Sequence, residues 1–317
     1  MRLPVRIGTR GSPLALAQAD IVARALVGSD PALAAPGAIA MVPIRTTGDR
    51  VQDRTLAEIG GKGLFTKEID EAMLAREIDL AVHSMKDLPT VLPDGIVLAA
   101  QLEREDPRDV LLLRPALQRP DWTEAPLALL PRGARVGTAS LRRQAQLLAH
   151  RPDLAVAPMR GNVGTRLDKL GRGEADATLL ALAGLRRIGL DPPGMLLLPV
   201  ATMLPAVAQG AIAITAHAED AASLALAAAI GHAATALCVA VERGFLAALD
   251  GSCRTPIAGL ATLEADGALV LDGLVAAPDG RRVTRRQWRC PAAAAMDAAA
   301  LAAFGAGCGQ ALAAEAT

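Results

Sequence analysis

The sequence predicts an α/β fold over roughly its first two thirds and a smaller α+β unit at its C-terminal end. Short apolar runs alternate with segments of helical period over residues 5–180, a pattern typical of sheets covered by helices. Near the end, Asp266-Gly267 and Asp279-Gly280 separate strand-like runs, and such dipeptides favour tight hairpin turns. A chain of 317 residues is also too long for one compact core, so two or three domains are expected.

The elements of the first part follow from local signals. Ser12 is expected to cap a helix that has Pro13 at its first position, and the spacing of Phe65, Ile69 and Met73 predicts a second, amphipathic helix. The predicted helices span residues 14–26, 66–76, 141–150 and 163–170. The predicted strands span residues 5–8, 38–44, 80–83, 109–113, 135–137, 154–158 and 177–180.

The last third has a different order of elements. A long helix is predicted at 234–249, followed by strands at 257–263, 269–275 and 283–288 and an alanine-rich helix at the C-terminus. The charged stretch 104–109, which contains Pro107, is a candidate linker, and residues 204–210 form a second candidate crossing between domains.

Composition and charge exclude several functions. Lys plus Arg equals Asp plus Glu at 33 each, and only 2% of residues are aromatic, so a nucleic-acid or membrane-surface binder is not expected. The four cysteines form no CxxC pair and the four histidines form no motif, so no metal site is expected. The N-terminus lacks the apolar stretch of a signal peptide, and no apolar run suits a bilayer, so a reduced, cytoplasmic protein is expected.

Cationic side chains recur where predicted strands end and helices begin, beside residues with hydroxyl or amide groups. Strand ends of this kind share a crevice, and helix N-termini there favour anions. For any single cation, an ordinary solvated surface charge is the alternative, but the repeated placement favours a ligand with several negative charges. The set comprises Arg10, Ser12, Lys62, Ser84, Lys86, Thr138, Ser140, Arg142, Arg143, Arg160, Asn162 and Arg166.

Two further residues could carry chemistry. Asp87 follows Lys86 and could accept a substrate N–H and stabilise a developing cation, although a helix cap or salt bridge is the alternative. Cys253 lies in a loop between Gly251 and Pro256, and the neighbouring Arg254 favours its nucleophilic thiolate. An inert buried thiol is the alternative, and it suits Cys238 and Cys308, which lie in apolar helical patterns.

Seven blocks of the sequence resemble the porphobilinogen deaminase family. They are IGTRGSPLA at 7–15, GGKGLFTKEI at 60–69, HSMKDLPT at 83–90, GTASLRRQAQL at 137–147, RGNVGTRLDKL at 160–170, LPAVAQGAIAI at 204–214 and DGSCRTPIAGL at 250–260. The blocks occur in the family's order and spacing, from about residue 5 to about residue 260. One departure is Thr215-Ala216-His217, where the family usually has an acidic residue and often an arginine.

The resemblance implies three domains. Residues 1–104 and 205–230 would form a discontinuous first α/β lobe, and residues 105–204 a second lobe, both similar to the halves of type II periplasmic binding proteins. Residues 231–317 would form a smaller α+β domain that has a three-stranded antiparallel sheet and carries the cysteine loop.

The resemblance also implies an activity: head-to-tail condensation of four porphobilinogens into hydroxymethylbilane, with release of four ammonia molecules. The primer would be a dipyrromethane cofactor held through a thioether to Cys253, and Asp87 would be catalytic. The other implied cofactor ligands are Ser84, Lys86, Asp87, Thr138, Ser140, Arg142, Arg143, Arg160 and Asn162. The implied substrate-binding residues are Arg10, Ser12, Lys62, Phe65, Arg166, Arg187 and Gln209. Simple packing for Phe65 and satisfaction of buried backbone for Gln209 are open alternatives.

A monomer with porphobilinogen as its small-molecule partner is expected. A solute-binding protein of the same two-lobed fold is the main alternative. Such a protein would be expected to have a signal peptide, and it would have no use for a reactive thiol at Cys253. A thiol hydrolase would need a histidine base near Cys253, and no histidine lies in a matching motif.

Overall fold

A computed structural model of the chain describes residues 3–50, 63, 65–118, 125–249, 255–291 and 293–316. The strands are β1 Val5–Arg10, β2 Ile39–Ile44, β3 Leu80–Ser84, β4 Ile96–Gln101, β5 Asp109–Leu113, β6 Arg135–Gly137, β7 Ala155–Ala157, β8 Ala177–Ala181, β9 Met195–Leu197, β10 Ile212–His217, β11 Ile257–Leu263, β12 Leu269–Ala276 and β13 Val283–Cys290. The α-helices are α1 Pro13–Ser29, α2 Thr47–Arg50, α3 Lys67–Leu74, α4 Leu141–His150, α5 Val163–Gly171, α6 Leu182–Arg187, α7 Ala221–Ala229, α8 Ala233–Ala248 and α9 Ala298–Ala316.

The chain divides into two compact units. The first contains the described residues of 3–50, 63–105 and 210–236, and the second contains those of 106–209 and 237–316. Domain boundaries at 104/105, 204/205 and 230/231 stay a prediction, since the second unit includes both of the later predicted domains.

The sheet of the first unit has the strand order β2-β1-β3-β10-β4. Strand β1 runs parallel to β2 and β3, whereas β10 runs antiparallel to β3 and β4. Ile7, Leu80 and Ile214 of this sheet are fully buried, and Val22 and Leu26 of α1 pack in the same core. The antiparallel direction of β10 arises because this strand enters the sheet from a distant part of the chain.

Strand β10 enters the first unit through the second predicted crossing. Gly210 has φ +92°, and a Cβ at that position would lie 2.2 Å from the carbonyl oxygen of Glu105. The Glu105 N–H donates to the carbonyl of Gly210 over 3.1 Å. Only glycine allows these two main-chain segments to approach so closely.

The second unit contains two sheets. One has the order β7-β6-β8-β5-β9, in which β6 is parallel to β7 and β8 while β5 is antiparallel to β8 and β9. The other is the antiparallel sheet β11-β12-β13. Its turns contain Gly267 and Gly280 at φ +80° and +73°, as the Asp-Gly dipeptides predict. The predicted architecture of two α/β lobes and a C-terminal antiparallel α+β part is confirmed.

Candidate active site

A cavity of about 60 Å³ opens in the first unit where β1 and β3 end. These two strands are parallel, so their carboxyl ends bring Arg10 and Ser84 to one edge of the sheet. The polar and aromatic residues that line the cavity are Arg10, Ser12, Gln18, Phe65, Thr66, His83, Ser84 and Asp87. The structure therefore brings together five predicted site residues that are up to 77 positions apart in sequence: Arg10, Ser12, Phe65, Ser84 and Asp87.

Ser12 serves as the N-cap of α1. Its side chain accepts a hydrogen bond from the Ala15 N–H over 3.3 Å, and Pro13 occupies the first turn. A hydroxyl that accepts still carries a hydrogen to donate, so the cap also presents a donor to the cavity. The helix N-terminus adds main-chain N–H groups and a partial positive charge at the same place.

Ser84 is held by a glutamine that sequence analysis missed. The Gln18 amide nitrogen lies 2.9 Å and its oxygen 3.1 Å from the Ser84 hydroxyl. Gln18 is only 2% exposed although it shares the buried face of α1 with Ala19 and Val22. A lone amide on an apolar helix face was the available signal, because buried polar groups need partners.

Phe65 contacts Arg10 directly. The guanidinium carbon of Arg10 lies 4.2 Å from the centroid of the Phe65 ring, which is cation–π geometry. Ile69, one turn further along, is fully buried in the core, whereas Phe65 lines the cavity. A role for Phe65 towards substrate stays a prediction.

Asp87 ends a short 3₁₀ helix that begins directly after β3. Met85 and Leu88 are buried, and the Met85 N–H donates to the carbonyl of Ala211 over 3.0 Å. The two anchored residues leave Lys86 and Asp87 exposed between them, and Asp87 lines the cavity. The local sequence thus presents a carboxylate on a rigid turn.

His83 lies beneath the same cavity. It is 6% exposed, and its Nε2 lies 3.3 Å from the Thr215 hydroxyl. Burial, together with the nearby positive charge of Arg10, lowers the pKa of His83 from 6.5 to about 4. The uncharged hydroxyl of Thr215 suits a neutral imidazole.

The burial of His83 predicts a pH-dependent stability. Its folded pKa lies below its unfolded value, so its contribution is complete above pH 6.5 and is lost as the pH falls towards 4. The loss amounts to about 3 kcal/mol at most, from about 1.4 kcal/mol per pH unit. Urea unfolding at pH 7 and pH 4.5 should show a smaller pH dependence in His83→Gln than in the wild type. His150→Gln, at an exposed position, is the control and should show the pH dependence of the wild type. If His83→Gln showed the same pH dependence as the wild type, the buried His83 would not be its source.

In the second unit, predicted donors gather at the start of α4. The Ser140 side chain caps this helix by accepting the Arg143 N–H over 3.4 Å. The Thr138 hydroxyl accepts the Ser140 N–H over 3.2 Å and is buried. The Thr-Ala-Ser turn between strand β6 and helix α4 therefore holds the N-terminus of this helix rigidly.

Arg142 and Arg143 are buried rather than open to solvent. Both pair with Asp109, at 2.7 Å from Arg142 Nη1 and 2.8 Å from Arg143 Nη2. Burial alone would raise the pKa of Asp109, but the two guanidinium groups outweigh it and hold that pKa well below its usual range. From the sequence, Asp109 was placed in a strand and at the end of a candidate linker, with no role in the site, and the assignment of the two arginines to the cofactor stays a prediction.

A second donor group lies at the start of α5. Asn162 caps this helix by accepting the Thr165 N–H over 2.9 Å, and Arg166 Nε donates to the carbonyl of Gly161 over 2.8 Å. Arg160 Nη1 is buried and, among the described residues, has no hydrogen-bond partner. An unsatisfied buried guanidinium N–H is costly alone and fits an anionic ligand.

The remaining predicted residues have the following places. Arg187 ends α6 and is half-buried. Gln209 is 1% exposed and donates to the carbonyl of Pro107 over 2.6 Å, so it satisfies buried backbone, and its role towards substrate stays a prediction. Lys62 and Cys253 lie outside the described residues.

Two properties of the described residues bear on other functions. They contain no group of three or more His, Cys, Asp or Glu side chains placed to hold a metal ion. No single helix in that part of the chain is long and apolar enough to cross a membrane; α7 and α8 reach the required length and composition only as a bent pair.

Two protein-family models match this chain and together cover most of it. Residues 5–225 match the family model for the porphobilinogen deaminase dipyromethane cofactor binding domain, and residues 236–299 match that for the porphobilinogen deaminase C-terminal domain. The chain belongs to the porphobilinogen deaminase family. Both groups of donors described above lie within the part that matches the cofactor-binding domain.

Porphobilinogen deaminases from plants and bacteria are similar over most of their length. The chloroplastic enzyme of Oryza sativa is 52% identical over 279 residues, which cover 88% of this chain and 76% of that protein. The enzyme of Paracoccus denitrificans is 52% identical over 290 residues, 92% of this chain and 89% of that protein.

Solved structures of periplasmic binding proteins are more distant. An arginine-specific protein of Salmonella typhimurium has 13% identity and a TM-score of 0.38 over 71% of this chain and 91% of its own. A glutathione-bound protein of Brucella ovis has 14% identity and a TM-score of 0.39 over 78% of this chain and 72% of its own.

Proposed function

We propose that this chain condenses four porphobilinogens head to tail into hydroxymethylbilane, with release of four ammonia molecules, on a dipyrromethane linked to Cys253. The observation that carries the proposal is the cavity of the first unit, where the Asp87 carboxylate lies among cationic and hydroxyl donors. It lies within the region that matches the family's cofactor-binding domain. The enzyme would therefore be a transferase of tetrapyrrole and heme biosynthesis.

The donors of the second unit fit a dipyrromethane. Each of its two pyrrole rings carries an acetate and a propionate, so the group needs several cationic partners. Arg160 Nη1 and Arg143 Nε are buried donors without a hydrogen-bond partner among the described residues, and carboxylates suit them. Thr138, Ser140 and Asn162 would add neutral donors at two helix N-termini. When bound, the dipyrromethane would supply the free α-carbon to which the first porphobilinogen is added, and each later unit would be added to the terminal ring of the growing chain.

Asp87 would act on the nitrogen side of the pyrroles. Loss of ammonia from porphobilinogen leaves a cationic ring, and a fixed carboxylate stabilises that charge as it develops. The same carboxylate accepts a pyrrole N–H. Its place on a turn anchored by Met85 and Leu88 means that little reorganisation is required during the reaction.

The cations and hydroxyls of the first unit would bind the acidic arms of porphobilinogen. Arg10 is fixed by its stacking on Phe65, and Ser12 and Ser84 are fixed by the cap and by Gln18. Lys86 would contribute to binding the cofactor, and Lys62, Arg166, Arg187 and Gln209 to binding substrate, as the resemblance implies.

We also propose that the protein acts as a cytoplasmic monomer and binds neither nucleic acid nor membrane. Cys290 and Cys308 are buried free thiols, which supports a reducing compartment. Equal numbers of basic and acidic residues support the absence of a polyanionic partner.

Intact-mass spectrometry tests the function. The wild type should exceed its sequence mass by two porphobilinogen units less the ammonia lost on each addition. Cys253→Ser should lack this increment and be inactive, whereas Cys238→Ala, a change at a buried thiol, should retain it. An active wild type without the increment, or a Cys253→Ser variant that carries it, would refute the proposal.

A further inference from the structure

Asp109 connects the two buried arginines of α4. Its carboxylate is fully buried at the start of β5, with Oδ1 2.8 Å from Arg143 Nη2 and Oδ2 2.7 Å from Arg142 Nη1. The Arg143 contact is a hydrogen bond, whereas the Arg142 contact lacks hydrogen-bond geometry and is held by charge. Two cations therefore face one anion, and the cluster keeps one net positive charge away from water.

Main-chain carbonyls fix the same guanidinium groups from a second side. Arg142 Nη1 donates to the carbonyl of Leu204 over 2.7 Å, and Arg143 Nη1 donates to the carbonyl of Leu179 over 2.9 Å. Each guanidinium is thus held at two points, by one carbonyl and by the shared carboxylate. Long side chains with many rotamers are thereby confined to one orientation.

A third side chain fixes the carboxylate itself. Gln209 Nε2 donates to Asp109 Oδ1 over 2.9 Å and to the carbonyl of Pro107 over 2.6 Å. Asp109 is therefore held by Gln209, which follows all five strands of the sheet that contains β5 and is itself hydrogen-bonded to Pro107, which precedes them. Such over-determined placement is typical of a residue whose orientation matters to a site.

We propose that Asp109 is a positioning residue, which orients Arg142 and Arg143 for the cofactor and leaves the pair one positive charge for a single cofactor carboxylate. This inference rests on the proposed function. One carboxylate from the ligand makes the cluster neutral, whereas two would leave it negative in a buried place. Arg143 Nε, a buried donor with no hydrogen-bond partner in the described part of the chain, is available for that carboxylate.

The test compares how quickly variants acquire the primer. Apoprotein from cells that cannot make porphobilinogen is mixed with porphobilinogen, and the mass increment is followed with time. Asp109→Asn keeps the side-chain shape but removes the charge, and we expect it to acquire the primer at least tenfold more slowly. Asp153→Asn is the matched control, since Asp153 pairs with Arg151 at 2.7 Å in the same unit, and it should load at the wild-type rate. A folded Asp109→Asn that loads as fast as the wild type would overturn the inference.

A second comparison applies if Asp109→Asn does not fold, because two unpaired buried cations are destabilising. The double variant Asp109→Asn/Arg143→Gln removes one charge of each sign and is compared with Arg143→Gln alone. If Asp109 orients Arg142, the double variant should load more slowly than Arg143→Gln. Equal loading rates in the two folded variants would show that the carboxylate is only structural. A wild type that never acquires the primer would instead contradict the proposed function.

Discussion

Asp87→Asn is expected to keep the fold and to lower turnover by about a thousandfold, the scale on which one preorganised polar group stabilises a transition state. The substitution keeps the size of the side chain but removes the negative charge that stabilises the developing cation. The fold should not change, because Asp87 is exposed at the cavity and the turn is held by Met85 and Leu88.

The measurement is the rate of hydroxymethylbilane release by enzyme whose primer has been verified by mass. Asp94→Asn provides a matched control, since Asp94 is an exposed acid of the same unit and does not line the cavity. It should turn over as the wild type does. Turnover of primed Asp87→Asn within fivefold of the wild type would remove Asp87 from the mechanism.

Features set by neighbouring residues were predictable from the sequence. Ser12 followed by Pro13 specifies a helix start, and the structure has the cap in that place. The Asp-Gly dipeptides likewise specify the turns of the C-terminal sheet, because Gly267 adopts the positive φ that such turns require. In both cases the physical cause lies within a few residues, so a single sequence contains it.

The direction of strands and the presence of short elements were harder to predict from the sequence. Strands β5 and β10 are antiparallel to their neighbours, which depends on where the chain crosses between units rather than on local pattern. Helices α2, α6 and α7 and strands β4 and β9 were not predicted. Strand β9 has only three residues, too few for a period to appear.

In the candidate site, too, local features were predictable from the sequence and contacts between distant residues were not. Sequence analysis located the cations and Asp87, because charge beside turn residues is visible in the sequence. It missed Gln18 and Asp109, whose partners lie 66 and 34 residues away, Ser84 for Gln18 and Arg143 for Asp109. A count of positive side chains could not show that one buried carboxylate already neutralises part of their charge.

Glu242 provides the largest expected effect on stability. It is fully buried in α8, and its carboxylate accepts the main-chain N–H groups of Ala208 and, over 2.7 Å, of Ala261. Ala208 has φ +59°, a left-handed conformation that is unfavourable for a residue with a Cβ and must be held by its surroundings. The carboxylate therefore connects α8, strand β11 and the segment that precedes Gln209.

Glu242→Ala is expected to lower the free energy of unfolding by about 4 kcal/mol, because two buried N–H groups lose their acceptor at about 1–3 kcal/mol each. Urea unfolding at pH 7 measures the change. Glu315→Ala is the control: Glu315 pairs with Arg286 at the surface, and such exposed pairs contribute about 0–1 kcal/mol. A loss in Glu242→Ala as small as that of the control would mean that water or a shifted main chain replaces the carboxylate.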